Sequence, residues 1–174
     1  MEIIQKRSRQ FRYLCQGLFV ILPVMTALYW FYAKHLPVSQ LSLGCYAIPV
    51  TLNPVIQLAG FMVDLIPLSI KLFALHLLIK LFKRYEKGNI FEMRNVRIYR
   101  HLGYTLFCWA IANIINKALI TFVLTAANKP GMRKIVVEVS SFDFMSFAAG
   151  CIIILIAWVM AEGYKLRREQ QEII

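Results

Sequence analysis

Four long apolar runs dominate the chain, and shorter polar stretches separate them. The runs cover residues 11–33, 58–82, 102–125 and 142–162. A bilayer core of about 30 Å needs roughly 20 helical residues, so each run is long enough to span a membrane. The pattern predicts an all-α membrane protein, a four-helix transmembrane bundle in which residues 1–174 form a single domain.

Composition agrees with this pattern and removes one competing class. Hydrophobic residues make up 59% of the chain, whereas soluble domains hold roughly 45–50%. The formal net charge of +11 would suit a nucleic-acid-binding protein only if the cations formed a soluble basic face. They lie instead in short clusters between the apolar runs, and we therefore expect no direct contact with nucleic acid.

The distribution of Lys and Arg predicts the orientation. With the N-terminus inside, the inner segments hold thirteen of these residues and the outer loops hold four. Because Lys and Arg accumulate in cytoplasmic loops, the chain is predicted to be N-in/C-in, a multi-pass protein of a cytoplasmic (inner) membrane. The inner clusters would also attract anionic lipids of that face, by about 1 kcal/mol per residue near the surface.

The basic start of the chain, followed by an apolar run, imitates a secretory signal. The run over residues 11–33 exceeds an h-region of about 7–15 residues, and no A-x-A cleavage site closes it. We interpret it as a retained span.

The outer loops are short and carry turn-forming residues. Within the second loop, Ile135–Val139 is rich in β-branched residues and resembles a strand. It could pair with Cys45–Thr51, although Pro49 would confine that segment to an edge. The sequence thus allows a small extracytoplasmic β-hairpin.

The inner loop carries a helix-start signal. Asn89 followed three residues later by Glu92 forms a capping-box pattern, which places a helix start near Ile90. No Pro or Gly interrupts the chain until Gly103. A helix over Ile90–Thr125 would be about 54 Å long, so several turns are predicted to project into the cytoplasm.

The last span is predicted to continue in the same way toward the C-terminus. Both helical cytoplasmic extensions are basic, and on the first of them Arg94, Arg97 and His101 share a face by their helical spacing. The plain interpretation is orientation plus lipid attraction, and the alternative is a docking surface for a cytosolic protein. The candidate docking residues are Arg94, Arg97, Arg100, Arg167 and Arg168.

Two segments resemble a known family. Residues 87–103 place a Gly, a Phe, an Asn-Val pair, basic residues and a second Gly before the third span, and residues 161–174 form a terminal helix with a Leu-Arg pair and an aliphatic close. These features are similar to those of the Domain of Unknown Function 2975 family of small bacterial four-span membrane proteins. The resemblance implies this architecture and no established activity. It also implies a small helix-turn-helix regulator, often encoded nearby, as a candidate partner.

Charged residues inside the predicted spans are functional candidates by default. Lys71 and Lys117 lie at comparable depth, and Asp64 or Asp143 could serve as their counter-ions. Such a site would bind an anion or relay protons. The competing and favoured interpretation is that both lysines extend their long stems to the outer headgroups.

The remaining polar residues of the spans indicate packing. Asn113 and Asn116 are predicted to form interhelical hydrogen bonds. His76 lacks a second imidazole at matching depth, because His101 lies nearer the inner interface, so haem ligation is not expected. Four cysteines without C-x-x-C spacing indicate no metal site. We expect no cofactor.

No catalytic motif is present in the sequence, and we expect no enzymatic activity. The favoured hypothesis is a non-catalytic regulator or adaptor that docks a cytosolic partner on its basic inner face. The alternative is a small transporter or channel using Lys71 and Lys117. Four spans per copy form a poor conduit, so the alternative requires a homo-oligomer.

Overall fold

The computed structural model describes residues 2–33, 53–90, 92–126, 133 and 135–172. Over these ranges the chain forms four α-helices: α1 Glu2–Tyr32, α2 Pro54–Glu86, α3 Met93–Thr125 and α4 Ser141–Glu172. Each helix contains a segment that is long enough and apolar enough to cross a membrane. The predicted all-α architecture with four candidate spans is confirmed.

Helices that follow one another in sequence pack together, α1 on α2, α2 on α3 and α3 on α4. Successive helices run antiparallel. Arg9 near the start of α1 bonds Glu86 at the end of α2, whereas Trp30 near the end of α1 bonds Asp64. Tyr85 and Asp64 of α2 contact Tyr99 and Asn116 of α3 in the reverse order. Gly103 and Asn113 of α3 likewise meet Gly150 and Asp143 of α4 in the reverse order. The starts of α1 and α3 and the ends of α2 and α4 therefore share one end of the molecule. We call this the basic end, formed by residues 2–12, 83–90, 92–101 and 163–172.

The outward surfaces of α1 and α4 are apolar. Large side chains such as Val20, Phe31, Met145 and Trp158 are more than half exposed. Soluble monomers rarely expose apolar surface of this extent. Lipid tails would cover it, in agreement with membrane-spanning helices.

Glycines allow close contact between neighbouring helices at two places. A Cβ added at Gly60 would overlap the ring of Trp30, so α1 rests directly on the backbone of α2. At the α3–α4 contact, a Cβ on Gly103 would lie 3.1 Å from the carbonyl oxygen of Gly150, and the reverse distance is 3.2 Å. Small residues allow such approaches between membrane helices, where packing is a main source of association.

Two apolar clusters fill the space between the helices. The first joins α1 to α3 near the opposite end of the molecule, through Trp30, Ala33, Ile120 and Leu124. The second joins α2 to α3 near the basic end, through Leu77, Leu81, Ile98 and Leu102. Both clusters include α3, and side chains of α2 pack in both as well, so these two helices form the centre of the fold.

The predicted helix start near Ile90 is wrong, because α3 begins at Met93. Glu92 occupies the N-cap position without a side-chain capping bond. Its carboxylate pairs with Arg84 instead of bonding back to Asn89. The capping-box prediction failed because the end of the preceding helix competes for the same glutamate. The helix of 33 residues is about 50 Å long, still more than a bilayer core.

The predicted β-hairpin also finds no support in the described residues, which contain no strand. Ile135–Val139 lies between α3 and α4 and is neither helical nor part of a β-strand. The backbone N–H of Val136 donates to the side-chain hydroxyl of Thr121 on α3 at 3.1 Å. In a β-hairpin this N–H or its neighbours would instead bond the backbone of the paired strand. Its predicted partner Cys45–Thr51 falls outside the described residues.

Candidate functional site

Three side chains hold the turn between α2 and α3. Arg84 donates from Nε to Asn95 Oδ1 at 2.7 Å, and its Nη2 pairs with the Glu92 carboxylate. Asn95 is fully buried, and its amide nitrogen donates to the carbonyl oxygens of Asn89 at 2.6 Å and Ile90 at 2.7 Å. Both amide hydrogens of Asn95 are thereby used. We call the trio Arg84, Glu92 and Asn95 the clasp.

Two further contacts fasten the basic end. The hydroxyls of Tyr85 and Tyr99 lie 2.7 Å apart across the α2–α3 contact. Glu86 at the end of α2 forms ion pairs with Arg9 at 3.1 Å and Arg12 at 3.3 Å, both on α1. Three helices are thus joined by polar contacts at this end.

Three of the five candidate docking arginines lie on α3 beside the clasp. Arg94, Arg97 and Arg100 are exposed on the first two turns of α3. Arg168 is exposed near the end of α4, and the side chain of Arg167 lies outside the described residues. The first two arginines border a common cleft, whereas Arg100 does not line it.

That cleft lies between α2 and α3 at the basic end and has a volume of about 550 Å³. We call it the basic cleft; its charged and titratable lining comprises His76, Lys80, Arg84, Arg94, Arg97 and His101. His76 and His101 both line this cleft. The antiparallel packing of α2 and α3 brings the end of one helix beside the start of the other.

A second group of polar side chains lies toward the opposite end, around Asp143 at the start of α4. Lys117 Nζ lies 3.1 Å from Asp143 Oδ2, and Asn113 Nδ2 donates to Oδ1 at 2.6 Å. Ser140 donates to Oδ2 from its backbone N–H at 2.9 Å and its hydroxyl at 2.8 Å. Asp143 is only 2% exposed. A buried carboxylate needs such partners, because desolvation of an unpaired charge is expensive.

Asp64 on α2 has a different environment. It accepts hydrogen bonds from Trp30 Nε1 at 2.7 Å and from Asn116 Nδ2 at 2.9 Å. No lysine or arginine of the described ranges lies within ion-pair distance of it. Asp64 therefore joins α1, α2 and α3 through neutral donors.

The structure does not unite Lys71 and Lys117 in one site. Lys71 is exposed, and its Nζ lies 5.6 Å from the ring centroid of Trp109, a cation–π contact. Trp109 and Lys117 are eight residues apart on α3, about 12 Å along the helix. The two lysines thus have separate partners, and only Lys117 has a carboxylate partner among the described side chains.

Four residues with structural importance were not singled out from the sequence: Trp30, Arg84, Glu86 and Asn95. Only Asn95 carried a signal, since it belongs to the Asn-Val pair of the resemblance. The other three are ordinary residues at the ends of apolar helices. Their partners depend on helix register, which the apolar pattern does not specify.

These contacts define a class, a four-helix membrane protein whose basic end is fixed by a network of hydrogen bonds and ion pairs. The chain belongs to the family described as Protein of unknown function (DUF2975), which matches residues 10–174. The resemblance seen in residues 87–103 and 161–174 is confirmed and extends over nearly the whole chain. No curated protein and no solved structure matches the chain.

Proposed function

We propose that this protein is a non-catalytic, membrane-anchored adaptor that binds an acidic face of a cytosolic regulatory protein at its basic end. The observation that carries the proposal is the clasp. It fixes the start of α3 against α2. Arg94 lies between the clasp residues Glu92 and Asn95, and Arg97 lies two residues after Asn95, so both arginines belong to the fixed segment. The first turns of α3 therefore form an ordered basic platform outside the apolar part of the helix.

An ordered platform favours protein recognition over loose attraction. Binding costs less entropy when the interacting segment is already held in place. Arginine suits such a surface, because its planar guanidinium pairs with carboxylates through two parallel hydrogen bonds. Complementary charge would also increase the association rate and select against basic partners.

The class of partner follows from orientation and resemblance. The Lys/Arg bias predicts that the basic end faces the cytoplasm of a bacterial cell. A small helix-turn-helix regulator with an acidic face, encoded beside this chain, is the partner that we propose. Held at the membrane, such a regulator would be kept away from its DNA.

The test is binding of that purified regulator to the full-length chain in phosphatidylcholine nanodiscs. Replacing Arg94, Arg97 and Arg100 by Gln should raise Kd at least about tenfold, through the loss of charge-assisted hydrogen bonds. The control is Arg133→Gln, which removes an exposed arginine from the other side of the molecule. Unchanged affinity in the triple variant would reject the adaptor function.

An oligomeric transporter or channel is the second candidate. It is favoured by one observation, the Lys117–Asp143 ion pair inside a candidate span, since charges at that depth commonly mark transport pathways. It has less support, because Lys71 lies over Trp109 and not at that pair. Flux into liposomes should fall in a Lys71→Gln/Lys117→Gln variant, and intact flux would eliminate the proposed pathway.

A further inference from the structure

The basic cleft carries positive charge that its own lining does not neutralise. Arg84 pairs with Glu92, but none of the described side chains that line the cleft is acidic. Among the residues that the structure describes, no carboxylate lies within ion-pair distance of Lys80, Arg94 or Arg97. Cations gathered in a concave site between low-dielectric walls concentrate the electrostatic potential. The cleft therefore favours an anion.

An apolar groove continues from the basic cleft along the membrane-spanning parts of α2 and α3. Both cavities are lined by Phe73 and His101, and the groove, about 400 Å³ in volume, is also lined by Ile70, Tyr104 and Cys108. Phe73 is 51% exposed and Tyr104 54% exposed, so the groove is open at the lipid-facing surface. We call it the apolar groove.

The groove has few groups to offer a polar ligand. Two of its three hydroxyl side chains are already engaged, since Ser69 Oγ donates to the Ile66 carbonyl at 2.7 Å and Thr105 Oγ1 donates to the His101 carbonyl at 2.7 Å. The third belongs to Tyr104, which is more than half exposed. Hydrocarbon is the ligand chemistry that most of this lining accommodates without leaving buried polar groups unpaired.

We propose that the basic cleft and the apolar groove together bind one anionic phospholipid. The phosphate would accept hydrogen bonds from Lys80, Arg94 and Arg97, and an acyl chain would occupy the groove beside Phe73. Guanidinium and ammonium groups are the usual phosphate donors of proteins. A free phosphate would leave the groove unfilled. A zwitterionic phospholipid carries its own cation beside the phosphate, so it would leave the net positive charge of the cleft uncompensated. Both volumes fall in the range of small-ligand sites, roughly 300–1,000 Å³.

A site of this kind differs from general attraction of a basic surface to an anionic membrane. The strength of general attraction depends on the number of cations near the membrane surface. Binding at a specific site depends instead on the particular residues that line it. Lys83 and Lys87 are exposed at the same end but do not line the cleft. Arg94 and Arg97 are shared with the proposed docking surface, whereas Lys80 belongs to the cleft alone. The inference does not rest on the adaptor function, because binding of a lipid at this site needs no protein partner.

The first experiment is native mass spectrometry of the full-length chain in detergent with equal amounts of phosphatidylglycerol and phosphatidylcholine. We expect one retained phosphatidylglycerol. In a Lys80→Gln/Arg97→Gln variant the bound fraction should fall at least about tenfold, through the loss of two charge-assisted contacts. A Lys83→Gln/Lys87→Gln variant loses the same charge and should retain the lipid. Equal retention by the two variants would overturn the proposal.

The second experiment separates a lipid from a free phosphate. Phosphatidylglycerol should raise the thermal unfolding midpoint of the wild-type chain in detergent, while inorganic phosphate and glycerol phosphate at the same concentration should not. Cys108→Phe, which fills the groove, should lower phosphatidylglycerol retention in the mass spectra. If inorganic phosphate stabilises the chain as much as the lipid does, the ligand is a free phosphate and the lipid site is rejected. Circular dichroism checks that each variant keeps the helical content of the wild type.

Discussion

The indole N–H of Trp30 donates to the carboxylate of Asp64 at 2.7 Å, which joins α1 to α2 in the half of the molecule away from the basic end. The same indole ring lies directly over Gly60, four residues earlier on α2. One side chain thus provides both the polar and the steric part of this helix contact. Four of the predictions below concern such interhelical contacts.

Trp30→Phe should destabilise the protein even though most of the apolar ring is kept. Asp64 would lose one of its two hydrogen-bond donors, and Asn116 would remain as the other. Loss of a donor to a partly buried carboxylate costs about 1–3 kcal/mol. The measurement is the thermal unfolding midpoint in detergent. Trp158→Phe on the exposed surface of α4 is the control, and an equal change in both variants would refute the role of the indole N–H.

Gly60→Ala and Gly17→Ala should have opposite effects on stability. A Cβ at Gly60 would overlap the ring of Trp30, whereas a Cβ at Gly17 would have no atom within 4 Å. Overpacking costs typically 1–3 kcal/mol, while Ala in place of an exposed helical Gly gains up to about 1 kcal/mol. Unfolding midpoints of both variants, measured side by side, test the α1–α2 contact. A stabilised Gly60→Ala variant would show that the helices do not meet there.

Asn95→Ala should open the turn between α2 and α3. The variant loses three side-chain hydrogen bonds at a fully buried position, and Arg84 loses its amide partner. We expect a loss of about 2–3 kcal/mol and faster hydrogen exchange of amides 89–98. Asn89→Ala is the matched control, because Asn89 is exposed and takes part through its backbone carbonyl. Comparable exchange in the two variants would contradict the clasp.

Asp143→Ala should be more damaging than the joint removal of Asp143 and Lys117. The single variant leaves Lys117 without its carboxylate inside a candidate span, which costs about 3–5 kcal/mol when the remaining charge is buried. Asp143→Ala/Lys117→Met removes both charges and should recover part of that loss. Unfolding midpoints of the full double-mutant cycle provide the measurement. Strictly additive losses would show that the two groups are not coupled.

Reporter fusions test the predicted orientation. Fusions after Pro37 and Asn128 should report an extracytoplasmic location, and fusions after Gly88 and Ile174 a cytoplasmic one, as the Lys/Arg bias requires. An extracytoplasmic signal at Gly88 would reverse the topology and remove the cytosolic partner from consideration.

The four helices were predicted well from the sequence, because a membrane span requires a long run of apolar residues. Each apolar run had to satisfy its backbone internally, so length and composition alone indicated four helices. The start of α3 was missed by three residues, since the Asn89–Glu92 pattern is a local signal and the partner of Glu92 is Arg84 on the neighbouring helix.

The partners of the polar residues were harder to predict. Asn113 and Asn116 were predicted to form interhelical hydrogen bonds, and they do. The sequence did not predict that their partners would be carboxylates on two different helices, Asp143 on α4 and Asp64 on α2. Such pairing depends on the rotation and axial register of each helix. The rotation and register of a helix are determined by the way its apolar side chains pack against the neighbouring helices. Because these side chains are similar in size, the pattern of a single sequence does not distinguish among the possible packings.

The position of Asn95 at the start of α3 has a mechanical consequence. Asn95 fastens α3 to Arg84 of α2, and Asn116 fastens the same two helices again at Asp64, twenty-one residues further along. The two attachments are about 32 Å apart along the axis. A sliding or turning motion of α3 against α2 would have to break both at once. Any movement produced by a ligand at the basic end would therefore displace α2 and α3 together, and α1 with them, since Glu86 and Asp64 attach α1 to α2 at two separate levels as well.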